Sequence, residues 1–111
     1  MRYMLLICND ESAETVPEEG LGAKTDTWVE EMEGREVRKS GDRLRPSSDA
    51  TTVQVRADEV LISDGPFADT KDLIAGYDVI ECSDLDEAIE VASKHPMARF
   101  GTVEVRPFWE A

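Results

Sequence analysis

Apolar positions recur along this chain with two different periods, and each change of period marks a new element. In Arg2–Cys8 (RYMLLIC) both alternating sets are apolar, Tyr3/Leu5/Ile7 and Met4/Leu6/Cys8, which predicts a central strand covered on both faces. Residues 9–23, with Pro17, Gly20 and Gly22 among acids and small residues, read as a loop. From Lys24 to Ser40, Trp28, Val29, Met32 and Val37 fit one helical stripe. Thr25 or Asp26 stands near the expected N-cap, Arg38 and Lys39 at the C-terminal end, and Gly41 at the stop. Thr51–Arg56 and Glu59–Ser63, joined by Ala57-Asp58, predict a hairpin, and Leu73–Cys82 predicts a further strand. The second helix starts at a Ser83 or Asp84 cap and presents Leu85, Ala88, Ile89 and Ala92 on one face. Lys94 and His95 fall at its C-terminal end before Pro96, so His95 is expected at the surface, complementing the helix dipole rather than acting as a base. Thr102–Trp109 alternates strictly, with Val103, Val105 and Pro107 on one face and Thr102, Glu104, Arg106 and Phe108 on the other.

The resulting order, β-α-β-β-β-α-β, predicts an α+β fold of ferredoxin-like type, with both helices on one face of an antiparallel sheet. Its other face would still carry large apolar side chains among a few charges, more than a monomer usually exposes. A homodimer with two sheets packed face to face removes that exposure and encloses a partly polar cavity.

At 111 residues and 41% apolar content, the chain is expected to form one domain with one core, spanning residues 1–111. Its 25 acids and 12 bases give a net charge of −13, which repels phosphate backbones and argues against direct nucleic-acid binding. The opening residues hold too short an apolar run for a signal peptide or a span, so a cytoplasmic protein without membrane contact is expected. Cys8 and Cys82 close apolar runs and His95 is the sole histidine; these read as buried thiols rather than a disulfide, with no metal and no cofactor implied.

The candidate chemistry gathers around Asp64–Asp72, DGPFADTKD. Gly65 permits unusual backbone angles and Pro66 fixes the next, so Asp64 and Phe67 are held in place. Two uses stay open: Asp64 caps its own turn while Phe67 plugs the core, or both line a pocket. Glu104 and Arg106 share one face of the last strand; if Val103 and Val105 face the helices, these charges face the cavity, where a charge must be paired, with Asp64, Glu104 or a ligand anion as the choices for Arg106. Arg45, Lys71 and Tyr77 offer a fork donor, a point charge and a phenol, against plainer uses of Lys71 as a solvated loop residue and Tyr77 as a core ring. No Ser/His/Asp set, GxSxG or phosphate loop occurs. What remains is proton transfer by Asp64, tuned by Arg106, on a small organic acid or carbonyl compound.

DGPFADTKD is similar to the DGPFAETKE signature of the YCII-related (DGPF) proteins, and the likeness extends through RYMLLI, Gly41–Pro46 (GDRLRP), Thr51-Thr52-Val53, Ala75-Gly76-Tyr77, Leu85–Ala88 and Gly101–Pro107 (GTVEVRP). The resemblance implies a dimeric α+β barrel of ferredoxin-like subunits. It also implies a family suspected of containing enzymes, whose members often accompany extracytoplasmic-function sigma factors. Asp69 and Asp72 stand where the signature has glutamates, Ala75 replaces a glycine, and Asp78 takes a position usually aromatic or aliphatic. The first helix also lacks the histidine that the wider superfamily pairs with an aspartate, so no mechanism through that residue is expected. The expected function is a dimeric small-molecule-binding protein with Asp64 as acid/base, Arg106 or Arg45 as anion anchor, and Phe67, Lys71, Tyr77 and Glu104 around the ligand. The alternative is a regulatory module that binds a sigma factor or another basic protein through its acidic surface.

Overall fold

A strand that is apolar on both sides belongs in the middle of a sheet, and β1 (Arg2–Asp10) occupies that place. In the computed structural model, which describes residues 1–10, 20–67 and 72–110, β1 is flanked by β5 (Asp72–Glu81) and β6 (Thr102–Pro107). The strand β2 (Arg38–Arg43) lies beyond β5, giving an antiparallel sheet of order β2-β5-β1-β6. Helices α1 (Leu21–Gly34) and α2 (Leu85–Ser93) pack on the face carrying Tyr3, Leu5, Ile7 and Ile80, with Trp28, Met32, Ala88 and Val91 closing the core. This is an α+β architecture compatible with a ferredoxin-like fold. The alternation expected of β6 is observed: Val103 and Val105 stand opposite Ile7 and Leu5, while Thr102, Glu104 and Arg106 stand opposite Cys8, Leu6 and Met4. The strand ends at Pro107, short of Trp109, which is fully exposed.

The first helix differs most from its expected span. It begins at Leu21 after Gly20 (φ 80°), with no side-chain cap from Thr25 or Asp26, so the expected loop at 9–23 is shortened from both ends; residues 11–19 lie outside the described part. It ends at Gly34 instead of Ser40. The Glu36 N–H bonds the Glu33 carbonyl and the Val37 N–H bonds the Met32 carbonyl, a Schellman closure with Glu36 at φ 59° where glycine is usual. That turn buries Val37 and releases residues 38–43, the first three of them expected as helix end, to form β2 along the edge of β5.

The second helix follows its sequence signals more closely. The Asp84 carboxylate accepts from the Glu87 N–H, and the Glu87 carboxylate accepts from the Ser83 N–H, each at 2.9 Å. His95, however, is buried rather than on the surface. Its Nδ1 accepts the Met97 N–H at 3.0 Å, capping a short 3-10 turn (Pro96–Arg99), and its ring meets Trp28 edge-on at 4.6 Å between centroids.

Strands β3 (Thr51–Arg56) and β4 (Glu59–Asp64) form the expected hairpin, turning at Ala57 and Asp58, both at positive φ as a type I′ turn requires. They make a two-stranded sheet of their own instead of joining the main one. The molecule measures 47 × 42 × 18 Å, and its radius of gyration of 15.8 Å exceeds the about 13 Å of a compact chain this long. Among the described residues no helix is long and apolar enough to cross a membrane.

Candidate functional site

Among the described residues, the sheet face opposite the helices has no second layer. Along it lie Met4, Leu6 and Cys8 of β1 and Tyr77 and Val79 of β5, all half-buried, with the polar residues of β6 beside them. Leu6 is opposite Tyr77 on one side and Glu104 on the other, so a phenol and a carboxylate flank one aliphatic side chain. A register shift on β5 then sets Ile74, 48% exposed, opposite Cys8. Arg106 forms an ion pair with Glu104 on the same strand, which selects one of the partners open to it from sequence. Both side chains remain substantially exposed, so the pair is worth little to stability and the guanidinium keeps donors to spare.

The other sequence-derived candidates stand around the base of the hairpin. Asp64 ends β4 opposite Thr51, and the turn after it is closed by backbone groups: the Gly65 N–H bonds the Ala50 carbonyl at 2.7 Å and the Thr52 hydroxyl donates to the Gly65 carbonyl at 2.7 Å. Gly65 sits at φ 93°, where a side chain would be strained. Among the described residues the Asp64 carboxylate accepts no hydrogen bond, so it does not cap its own turn. Phe67 is 78% exposed and does not plug the core. Arg45 pairs with Asp49 at 3.0 Å on the surface, and Lys71 lies outside the described residues.

The candidates thus fall into two groups. The chain leaves the sheet for the hairpin where the Leu44 N–H bonds the Ala75 carbonyl, whereas Arg106 sits at the level of Met4 and Val79. Three strand spacings and four residues separate those points, about 20 Å of sheet. Tyr77, Glu104 and Arg106 therefore share one surface, and Asp64, Phe67 and Arg45 are not brought to it within this chain.

A polar cluster that the sequence reading missed lies under the helices. Asp78 is 6% exposed in a strand otherwise apolar on that face, and Arg38 donates to it through Nε at 2.8 Å while its Nη1 reaches Glu33 at 2.8 Å. Burial pushes the Asp78 carboxyl above the usual carboxylate range, and the Arg38 hydrogen bond and charge pull it partly back. Gly41 makes room for the pair, since a Cβ there would collide with the Asp78 carboxylate and stand 2.7 Å from Arg38 Nη2. Burial, reinforced by the Arg38 charge, also drives His95 down to about 4, so its imidazole is neutral near pH 7. The signal in sequence was Asp78 itself, an acid in the middle of the apolar run LIAGYDVI, but nothing in sequence pointed to Arg38 as its partner. With Arg38 Nε on Asp78 Oδ1 and Nη1 on Glu33, this pair ties β2 to β5 and to the end of α1, a role in organising the fold.

Two remaining features narrow the chemistry. Burial, and then the Glu87 carboxylate, push the Cys82 thiol up to about 11, far from a nucleophile's range. A groove of about 360 Å³ between α2 and β6, lined by Ile89, Ala92, Ser93, Ala98, Gly101, Thr102, Val103 and Val105, contains no ionisable side chain.

Comparison with known proteins gives a single direction. Residues 1–111 match the model of the YCII-related domain. An uncharacterised protein of Rhizobium meliloti (strain 1021) is 36% identical over 113 residues, covering 96% of this chain and 91% of the relative.

Proposed function

The chain belongs to the YCII-related domain family, and on that premise we propose that it is a homodimeric small-molecule-binding protein whose ligand is a small organic acid. The observation that carries this reading is the open sheet face, where apolar Met4, Leu6 and Val79 adjoin Tyr77, Glu104 and Arg106. A second copy laid on this face buries the apolar part and leaves the polar side chains lining a cavity. Arg106, already biased toward an anion by its fork geometry, supplies donors to a carboxylate, and the Tyr77 hydroxyl supplies another. Asp64, which lies apart from this surface within one chain, would supply proton transfer there only from a second copy.

The test is a thermal-shift screen of small mono- and dicarboxylates, run beside sedimentation. The expected result is a dimer at micromolar concentration whose melting point rises with one ligand class, with the shift lost in Arg106→Gln. Saturation at about a hundred times Kd adds about 2.7 kcal/mol to the wild-type chain. A folded monomer at that concentration, or an undiminished shift in Arg106→Gln, sinks the proposal. A second reading draws on the net charge of −13, which favours a basic protein partner such as a sigma factor; its complex should dissociate as salt rises.

A further inference from the structure

The β3–β4 hairpin is turned inside out for a chain standing alone. Residues paired across it point to the same side: Val53 with Ile62 and Val55 with Val60 on one face, Thr52 with Ser63 and Gln54 with Leu61 on the other. On the first face Val53, Val55, Val60 and Ile62 are 59%, 56%, 60% and 69% exposed, while on the second Thr52 and Gln54 are half-buried. Burial by the hydrophobic effect gives the opposite arrangement. A two-stranded hairpin alone is marginal in water, and an uncovered apolar ribbon invites aggregation.

We propose that this hairpin is a reciprocal arm: its Val53/Val55/Val60/Ile62 face lies on the open sheet face of a second copy of this chain, against Met4, Leu6, Ile74 and Val79. Asp64 alternates onto the same side as Val60 and Ile62, so each arm carries its carboxylate to the Tyr77–Glu104–Arg106 surface of the other copy. The inference rests on the homodimer reading above and adds which segment makes the interface and which residue crosses it.

A second copy is the occupant because one chain carries both halves of the contact and satisfies neither. The four arm side chains expose on the order of 400 Å², as much as the largest apolar patch on many monomers, roughly 300–600 Å². Counted on both surfaces and repeated by a twofold axis, that gives about 1,600 Å², the size of a standard stable interface. The charges agree as well: Asp64 has no partner among the described residues, and Arg106 on the open face is only partly engaged by Glu104. The about 20 Å of sheet that separates Arg106 from the hairpin's attachment within one chain is spanned by exchange between copies.

The test places a photo-crosslinking residue at Ile62 in the full chain and irradiates a mixture of isotope-labelled and unlabelled protein. Crosslinks joining the two isotopic populations, from position 62 to Met4, Leu6, Ile74 or Val79, are the expected result. Crosslinks confined to one population, or mapping to the helices, overturn it. In parallel, Val53→Lys combined with Ile62→Lys should weaken the dimer by roughly 100-fold with an unchanged helical circular dichroism spectrum. A wild-type monomer defeats both this inference and the reading it rests on. A dimer that the double variant leaves intact defeats the arm alone.

Discussion

Leu5 and Val53 are both aliphatic residues on strands with alternating patterns, yet the first is fully buried and the second is 59% exposed. The difference lies in what each strand meets. β1 is paired on both edges and its Leu5 side is roofed by two helices, so each residue there is held by several independent contacts. The hairpin is paired only with itself, and its order comes from one turn and one ladder. The two regions therefore divide the work: the helix-covered core supplies stability, and the uncovered surfaces supply the contacts left for a partner or ligand.

The sharpest way to break the core side of that contrast is the buried ion pair. Asp78→Ala leaves the Arg38 guanidinium without its buried counter-charge, with only the exposed Glu33 carboxylate still paired to it, and should cost about 3 kcal/mol in urea unfolding. Replacing both partners, Arg38→Met with Asp78→Leu, should recover most of the loss, because it removes the uncompensated charge. A single substitution that costs under 1 kcal/mol would show the pair to be wet and unimportant.

The next effect in size is pH. His95 has its pKa lowered to about 4 in the folded protein against 6.5 when unfolded, so below 6.5 the unfolded chain binds the extra proton and the folded chain does not. Stability is then lost as pH falls from 6.5 toward 4, by about 2 kcal/mol between pH 7 and pH 5. The raised pKa of Asp78 acts with the opposite sign, favouring the folded state as that carboxyl takes up its proton in more acidic solution. His95→Asn keeps a capping acceptor for the Met97 N–H but cannot titrate. Its unfolding free energy should be flatter over this range, and an unchanged slope would assign the loss to other groups.

The smallest effect belongs to the hairpin. Ala57 sits at φ 51°, a conformation that glycine adopts freely, so Ala57→Gly should favour the turn by about 0.5–1 kcal/mol. If the hairpin opens independently of the core, hydrogen exchange at the Gln54 and Leu61 amides, a hydrogen-bonded pair of the ladder, should slow by about 2–5-fold while the global unfolding midpoint stays fixed. A matching rise in the midpoint would mean that hairpin and core unfold together.

Much of the fold was legible because local pattern and final burial agree. The central strand, the second helix with its Asp84 cap, the hairpin turn at Ala57-Asp58 and the two faces of β6 all stand where the periods place them. Those two faces made the Tyr77–Glu104–Arg106 surface partly readable as well. β2 was not legible, since RKSGDR has no apolar alternation and becomes a strand only through the open edge of β5. The end of α1 was hidden for a related reason: its left-handed closing residue is Glu36, where the usual signal is glycine. His95 looked like a surface residue because its position in sequence follows a helix, whereas its burial depends on Trp28, far away in the chain.

The sequence by itself determined which residues alternate, where turns can form, and which family the chain resembles, because each depends on neighbours within a few positions. Tertiary structure alone decided that Arg38 meets Asp78 across forty residues, that Asp64 makes no contact with Arg106 within the chain, and that the hairpin shows its apolar side to solvent. Those outcomes follow from which surfaces are already covered when the segments come together. Local periodicity says that a face is apolar but carries no information about what will cover it.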